Sequence, residues 1–424
     1  MTEQKKILII GSFCNVSGYS DHARVIADAL LSSPQKHIVH LVDLQWAEAS
    51  RNLDYTSKYG PLIENTQQYL KFLKSTGTSM PDGFDCCFQV RPPNEWHKVT
   101  NYDIGVTAAL ETVAAPKEWI ANCNMVQKIL VVSNHARENL LKAVDSQTNE
   151  KIRTPIEVIP FYNNLPQERE KFSGYEAITT SKNFLCVSQL APRKNIFEML
   201  GSFLDEFNDD EDASFILKTY MRNNSRIDEK MTKDLLKKYL NFKSPEHKCK
   251  VHLIHGNLSQ EEVFSLYDPD VITGYVSHAH GEGFGIPIFN AVCADIPVIA
   301  PSWSGHMDFL HAPVTNEKSG KTKRKNLFLK TSYDIEKVKQ DHLMPGLITP
   351  ECEWCYPKNE SLQKNLRNLV TSPITNKKDA ALLGEHIRNK FSQENINEMY
   401  YRVINQMGSL NASGETDDAQ ILEL

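Results

Sequence analysis

The chain has 424 residues and a formal net charge of −6. This length suits two domains of ordinary size, and the acidic balance excludes a nucleic-acid-binding protein that is basic over its whole surface. No apolar run approaches the roughly 18 residues of a membrane-spanning helix, and no signal peptide is evident, so we expect a cytoplasmic protein without membrane insertion. The nine cysteines are scattered through apolar segments, which is typical of reduced core thiols.

The first half of the chain alternates short apolar segments with amphipathic ones. The apolar segments predict strands at residues 6–10, 37–42, 86–90, 104–108, 128–132 and 156–159, with a helix over 21–31. Strands that alternate with helices are typical of a parallel sheet in a doubly wound α/β fold. We expect this half, residues 1–175, to be an N-terminal Rossmann-like domain.

The second half repeats the alternation. Its apolar segments predict strands at residues 184–188, 214–219, 251–255, 271–275 and 296–300, in a second Rossmann-like domain spanning 176–392. A terminal helix is predicted over 393–406, and the polar segment 407–424 is predicted to be disordered.

A glycine-rich turn, His-Gly-Glu-Gly-Phe-Gly at residues 280–285, follows the predicted strand at 271–275. Glycine at positions 281, 283 and 285 lets the backbone turn tightly and approach a ligand. Pro287 suits the first turn of a helix that runs to about Ala294. A helix N-terminus aimed at such a turn attracts phosphate, so this unit is predicted to bind a nucleotide sugar.

A second turn, Ser304-Gly305-His306, follows the strand at 296–300 and precedes a helix predicted to start near Asp308. Together the two turns resemble the E-G-F-G-x-P…E-A…G-x-P-V-I…G-G…E signature of retaining GT-B glycosyltransferases of family 4. The resemblance implies two doubly wound Rossmann-like domains facing a central cleft, with the N-terminal domain on the acceptor side and the C-terminal domain binding the nucleotide sugar. It also implies that the terminal helix over 393–406 crosses back to the first domain. It also implies transfer of a sugar from a nucleotide diphosphate sugar, with a UDP-sugar as the expected donor.

The resemblance assigns roles to residues of this turn. Glu282 matches the glutamate that contacts the donor sugar, whereas the second glutamate of the signature, which contacts the ribose, is replaced by Asn290. Because a hydrogen bond to a neutral group is weaker than one to a charged group, we expect this replacement to weaken ribose binding by about tenfold at most. The chain also carries Asp295 where glycine is usual and Asp308 where glutamate is usual.

Two cations follow the strand at 184–188. Arg193 and Lys194 resemble the family's R-K loop, whose cations hold the donor diphosphate. Arginine offers a planar fork and lysine a mobile point charge, so together they can offset the charge of a departing nucleotide. An isolated pair of this kind would be read as a solvated basic turn, but Glu282 at the family spacing favours the catalytic interpretation.

Further donor contacts are implied by the same resemblance. The predicted donor-binding set is Gly18, His280, Gly283, Phe284, Gly285, Asn290 and Gly305. Gly18 lies in a small-residue loop that is not a G-x-G-x-x-G fingerprint and is also compatible with an ordinary turn. A single histidine in a turn, such as His280, is also typical of a structural residue.

The predicted chemistry needs neither cofactor nor metal, because cationic side chains and helix N-termini neutralise the leaving diphosphate. Residues 268–270, Asp-Pro-Asp, are interpreted as a cap and turn, and the lone C-x-x-C at 352–355 lacks a ligand set for zinc. Glu111, after the strand at 104–108, completes the catalytic set with Arg193, Lys194 and Glu282. It can orient or partly deprotonate an acceptor hydroxyl, or cap the next turn. Ser133, after the strand at 128–132, is interpreted as a helix N-cap.

Residues 93–96, 101–112 and 354–357 resemble phage-encoded glycosyltransferases, some of which glycosylate hydroxymethylated pyrimidines in DNA. Double-stranded DNA is therefore the predicted acceptor, in the host cytoplasm if the chain is phage-encoded. A basic loop is predicted to follow the phosphate backbone or to be simply solvated: Lys318, Lys321, Lys323, Arg324 and Lys325. The alternatives are a glycan or lipid acceptor of cell-surface polysaccharide synthesis and a non-catalytic sugar-nucleotide-binding protein. The sugar and the oligomeric state stay open.

Overall fold

The computed structural model describes residues 4–47, 49–166, 168–316 and 319–407. The strands are β1 Lys6–Gly11, β2 Ile38–Asp43, β3 Cys86–Val90, β4 Asp103–Thr107, β5 Lys128–Val131, β6 Ile156–Val158, β7 Lys182–Val187, β8 Ala213–Lys218, β9 Lys250–Ile254, β10 Gly274–Val276, β11 Val298–Pro301, β12 His311–Thr315, β13 Thr322–Asn326, β14 Leu329–Thr331, β15 Tyr333–Lys337 and β16 Glu353–Pro357. The helices are α1 Gly18–Leu31, α2 Leu53–Thr76, α3 Met80–Gly83, α4 Ile120–Cys123, α5 Asn134–Leu141, α6 Ile196–Phe207, α7 Arg226–Lys243, α8 Gln260–Ser265, α9 Ile286–Cys293, α10 Asn359–Thr371, α11 Pro373–Lys390 and α12 Gln393–Gln406.

The first sheet has the strand order β2-β1-β3-β4-β5-β6, and all its pairs are parallel. Its central strands β3 and β4 are buried at every position, as expected for a parallel sheet covered on both faces. All six strands were expected from the sequence to within two residues at either end. The α/β prediction is therefore confirmed for this half.

The second sheet has the order β14-β11-β10-β7-β8-β9 and is also parallel. Strand β10 starts three residues later than predicted, because the carbonyl of Asp268 accepts the N–H groups of Val271 and Ile272 and extends the preceding turn. The Asp270 N–H also bonds to the Asp268 carboxylate, so the Asp-Pro-Asp segment is the turn that we predicted. Strand β14 has only three residues and was not predicted.

The topology places two loops of the second sheet at one crevice. The strand order reverses between β7 and β10, which lie side by side. In open parallel sheets, ligands bind at the carboxyl ends of the strands where the order reverses. The loops that follow β7 and β10 carry Arg193, Lys194 and Glu282, so the fold brings the cations and the carboxylate to the same edge.

The segment after the second turn differs from its prediction. The prediction of a helix that starts near Asp308 is wrong. Gly305–Asp308 forms one turn of 3-10 helix, and the chain then enters strand β12. Strand β12 pairs antiparallel with β13, so the basic residues expected in a loop lie largely on a strand. Pro313 within this segment cannot donate to a helix, which favours the extended form. A second hairpin joins β15 and β16.

The two sheets share a continuous apolar core, whose members run from Ile7 in β1 to Ile404 in α12. Helix α12 packs against α1, where the His22 Nε2 and Tyr400 Oη atoms are 3.3 Å apart. Of the segment 407–424 that was predicted to be disordered, residues 408–424 lie outside the described residues. All nine cysteines are free and buried, and no helix in the described part of the chain is long and apolar enough to span a bilayer.

Candidate active site between the two sheets

The loop after β7 presents its two cations on a single turn of 3-10 helix, Pro192–Lys194. Asn195 closes this turn in the left-handed conformation, with a φ of 53°, and helix α6 starts directly after it. The backbone carbonyl of Arg193 accepts the N–H of His280 at 2.8 Å. The cationic loop and the glycine-rich loop are thus joined through their backbones, so their side chains hold a fixed relative position.

Glu282 lies between the two cations. The Lys194 Nζ atom is 2.6 Å from Oε1 and 2.7 Å from Oε2 of Glu282, and Arg193 Nη1 is 3.3 Å from Oε2. Burial raises the pKa of the Glu282 carboxyl, but the charges of Lys194 and Arg193 outweigh burial and lower this pKa to about 2. Burial and the charge of Arg193 also lower the pKa of Lys194, against the opposing effect of Glu282.

Arg193 also reaches the first domain. Its Nη2 atom is 3.1 Å from Oε1 of Glu111, and its Nη1 donates to the carbonyl of Gly281. Glu111 lies in the loop after β4, at the carboxyl edge of the first sheet. The four predicted catalytic residues therefore form one cluster of two cations and two carboxylates. The contact between Arg193 and Glu111 was not predicted.

The two predicted turns are bonded to each other. The Glu282 N–H donates to Ser304 Oγ at 3.0 Å, and the Gly305 N–H donates to the Glu282 carbonyl at 2.9 Å. A Cβ atom at Gly305 would lie 1.9 Å from the Gly283 carbonyl oxygen, so no larger residue fits there. Gly285 precedes α9 with a φ of +93°, which side-chain-bearing residues rarely adopt.

The first domain closes directly on this turn. Ser133 caps helix α5, as predicted, by accepting the N–H of Ala136, and its hydroxyl also donates to the Gly283 carbonyl at 2.5 Å. One residue on, the Asn134 N–H donates to the Asp308 carboxylate at 2.7 Å. The sequence indicated only the cap, because a serine that starts a helix shows nothing of a partner in the other domain.

Trp303 was not predicted as a site residue. A Cβ atom at Gly281 would be 2.8 Å both from Glu111 Cβ and from the Trp303 ring, so these two side chains flank Gly281. The Trp303 ring meets the His135 ring edge-on, with centroids 4.7 Å apart. A single tryptophan in a polar turn carries no pattern that would have marked it as part of the interface.

The other predicted donor residues occupy varied surroundings. The Phe284 side chain is buried among phenylalanines, including Phe161 and Phe309, so only its backbone is available to a ligand. His280 stacks on Trp354 with centroids 5.1 Å apart, and its Nδ1 is 2.7 Å from the Cys355 carbonyl. Burial lowers the pKa of His280 to about 4, so it is neutral near pH 7. It has a structural environment, and contact with the donor stays a prediction.

The predicted roles of Asn290 and Gly18 in donor binding also stay predictions. Asn290 is buried on α9, beside the hydroxyl of Tyr267. Gly18 is exposed at the first turn of α1, which is capped by Ser17, and a Cβ atom there would meet nothing within 4 Å. No group of three or more histidine, cysteine, aspartate or glutamate side chains in the described ranges is arranged to hold a metal ion.

The predicted basic residues lie on the β12–β13 hairpin. Every residue of β13 is exposed, and Lys323 and Lys325 point to one side of the strand while Arg324 points to the other. The Arg324 Nη2 atom is 3.1 Å from His311 Nδ1. Lys321 is exposed just before β13, whereas Lys318 lies outside the described residues.

Solved structures of low sequence identity share this architecture. Sucrose-phosphate synthase from Thermosynechococcus elongatus matches with a TM-score of 0.61 and 11% identity, over 96% of this chain and all of the other. HepE from Anabaena, in complex with UDP and glucose, matches with a TM-score of 0.58 and 12% identity, over 95% of this chain and all of the other. The likeness confirms the predicted GT-B fold.

Comparisons of the sequence alone find no relative. No protein-family model matches the chain. No curated protein matches it significantly either. The fold is therefore known from the structure, and the geometry of the site is the basis for the proposed activity.

Proposed function

We propose that the chain is a glycosyltransferase that transfers a sugar from a uridine diphosphate sugar. The observation that carries this proposal is the placement of Arg193 and Lys194 against Glu282 at the crevice where the strand order of the second sheet reverses. The fold neighbour HepE is seen with UDP-glucose in one of its structures, which supports a UDP-sugar as the donor here.

In this proposal the diphosphate enters the cluster as a third anion. Arg193 Nη2, now paired with Glu111 at 3.1 Å, turns to a phosphate oxygen, while Lys194 shares its ammonium between Glu282 and the phosphate. The backbone bonds of their loop already hold both cations at the crevice, so only the side-chain partner of Arg193 changes when charge develops on the leaving group. Glu111 is released beside the crevice, where it can orient the acceptor hydroxyl.

We propose retention of the anomeric configuration. The bond between the anomeric carbon and the phosphate oxygen breaks, the bond to the acceptor oxygen forms on the same face of the sugar, and the acceptor proton passes to the leaving phosphate. In this scheme Glu282 holds the sugar, and the backbone amides of Gly283 and Gly285 contact it. No protein nucleophile takes part in this scheme.

We expect the product to keep the anomeric configuration of the donor, and turnover to persist in the presence of a chelator. The reason is that Arg193 and Lys194 supply the positive charge that a metal ion would otherwise supply. Proton NMR of the product and initial rates with and without EDTA check both points. An inverted product, or a rate abolished by EDTA and restored by magnesium, would contradict the scheme.

As acceptor we propose the hydroxyl of a hydroxymethylated pyrimidine in double-stranded DNA. The support is the hairpin, which concentrates exposed cations on one strand of a chain with a net charge of −6. The phosphate backbone of DNA is a partner of matching charge, and its contacts would orient the duplex at the crevice.

We expect mass spectrometry of digested nucleosides to show a sugar on hydroxymethylated pyrimidines after incubation with the protein and a panel of UDP-sugars. DNA binding should weaken steeply with salt, with log affinity falling by roughly 0.9 per phosphate neutralised. Reversing Lys321, Lys323 and Lys325 to glutamate should flatten this slope.

A matched control carries the same three reversals on α7, at Lys230, Lys233 and Lys237, and should keep the wild-type slope. Transfer to a lipid or glycan while no nucleoside is modified would overturn the DNA acceptor and leave the glycosyltransferase proposal standing. UDP-sugar binding without transfer to any acceptor would instead favour a non-catalytic sugar-nucleotide-binding protein.

A further inference from the structure

Helix α7 has an apolar stripe on its outer face. Four apolar side chains are exposed there: Ile227 at 75%, Met231 at 53%, Leu235 at 37% and Phe242 at 86%. The first three are spaced by four residues, and Phe242 falls on the same side of the helix two turns after Leu235. Residues 228, 232 and 236 face the domain and are buried, so the stripe is not the side by which α7 packs on the sheet.

The same helix is strongly basic. It carries six cations and three carboxylates, in a chain whose net charge is −6. Arg226, Lys230, Lys233 and Lys237 follow one another along the exposed side next to the stripe, and Lys238 lies within the stripe. Of the carboxylates, Asp228 is buried and bonded to His255 Nε2 at 2.9 Å, whereas Glu229 and Asp234 are exposed and leave the cations in excess on the outer surface. The outer surface of α7 is therefore both apolar and positively charged.

The helix does not depend on a partner for its fold. Ser225 caps it by accepting the Asp228 N–H, and the Asp228 carboxylate accepts the N–H groups of Met221 and Arg222. Tyr239 anchors the other half by donating to the Phe197 carbonyl at 2.6 Å. The stripe is thus presented on a preformed, fixed helix, so a partner meets it without first ordering it.

Three kinds of partner can be compared with this surface. A second copy docked through α7 would bring five outer cations of one helix against five of the other, which like-charge repulsion disfavours. A DNA duplex would pair with the lysines but leave four large apolar side chains in water. A bilayer with anionic lipids accepts both features, because apolar side chains enter the boundary of the acyl chains while lysines reach the headgroups.

We propose that α7 docks on the surface of an anionic phospholipid bilayer, lying in the plane of the interface. The helix rests on the membrane and does not cross it. This inference concerns where the protein binds and does not rest on the proposed donor or acceptor.

The test is co-sedimentation of the full chain with vesicles of phosphatidylglycerol and phosphatidylcholine, compared with vesicles of phosphatidylcholine alone. We expect binding to the anionic vesicles that weakens with salt. Each lysine of α7 reversed to glutamate should lower the partition coefficient by about fivefold or more. Phe242→Ser should lower it by roughly tenfold, because a large apolar side chain no longer enters the interface.

Matched controls lie elsewhere on the chain. The triple reversal of Lys321, Lys323 and Lys325 changes the charge as much as reversal of Lys230, Lys233 and Lys237, and Ile374→Ser removes an apolar side chain that is 85% exposed on α11. Both controls should bind vesicles like the wild type. The α7 variants should keep wild-type turnover on a soluble acceptor, which separates this test from that of the proposed activity.

Three results would overturn the docking site. The first is no binding to anionic vesicles at low salt. The second is an equal loss in the hairpin triple variant and the α7 triple variant, since this would show attraction by net charge alone. The third is a concentration-dependent dimer that is seen by analytical ultracentrifugation without vesicles and that Phe242→Ser abolishes. Such a dimer would show that the stripe binds a second copy of the chain.

Discussion

Replacing Lys194 with alanine is expected to lower turnover by about 100-fold or more, because removal of one preorganised charge contact costs ~2.7–4 kcal/mol in the transition state. Lys194 contacts both oxygens of Glu282 at the crevice of the second sheet. Steady-state rates with a UDP-sugar give the measurement. Lys233→Ala, on the exposed side of α7, is the control and should leave turnover unchanged.

The same substitution also leaves Glu282 with one partner fewer, and breaking a buried ion pair costs ~3–5 kcal/mol of stability. A double variant, Lys194→Met with Glu282→Gln, removes both charges, so it should recover much of the lost stability while staying inactive. Thermal unfolding and turnover, measured on the same samples, separate the two effects. Near-normal turnover in Lys194→Ala or in Arg193→Ala would show that these cations do not hold the leaving group.

The pH dependence of stability follows from the same pair. Since the folded pKa of Glu282 is lowered to about 2 from its ordinary 4.5, its contribution to stability is fully present above the ordinary value and is lost as the pH falls through 2. Removal of Lys194 should raise this pKa, so the variant should lose that contribution at a higher pH than the wild type.

Gly305→Ala is expected to disrupt the site through sterics alone. Its Cβ would lie 1.9 Å from the Gly283 carbonyl oxygen and 2.8 Å from the Glu282 carbonyl oxygen, so the two turns must separate and the Gly305 N–H loses its bond to Glu282. Overpacking of this kind costs roughly 1–3 kcal/mol or more. We expect a lower unfolding temperature and UDP binding weakened by at least about tenfold.

Gly18→Ala is the matched glycine control, because a Cβ atom at Gly18 has open space for 4 Å. It should unfold like the wild type. Its UDP affinity then reports whether Gly18 is close to the donor, as its loop predicts. If Gly305→Ala bound UDP as tightly as the wild type, the packing of the two turns would have no part in donor binding.

The sequence predicted those features of the fold that local patterns determine. The buried strands of both sheets appear in the sequence as apolar runs. Gly285 was indicated by its glycine-rich turn, and its φ of +93° is one that side-chain-bearing residues rarely adopt. Strand β14 could not be predicted, because three residues are too few to show an alternation of apolar and polar side chains. The β12–β13 hairpin could not be predicted either, because its charged residues favour neither a strand nor a loop.

The candidate site divides in the same way. Arg193, Lys194 and Glu282 follow neighbouring parallel strands, so their meeting at one edge can be predicted from the order of the strands. The contact of Arg193 with Glu111, and that of Ser133 with Gly283, depend on how the two domains face each other. That relation is fixed by packing across the cleft, and no local pattern of residues records it.

The most direct test of the proposed donor site is calorimetric binding of UDP and of UMP, which differ by the phosphate that the cations are proposed to hold. We predict that the wild type binds UDP at least about tenfold more tightly than UMP, since each charged hydrogen bond contributes ~1.5–3 kcal/mol. In the double variant Arg193→Ala with Lys194→Ala, this preference should fall to near one. A wild type that does not distinguish UDP from UMP, or a double variant that keeps the preference, would contradict the proposed site.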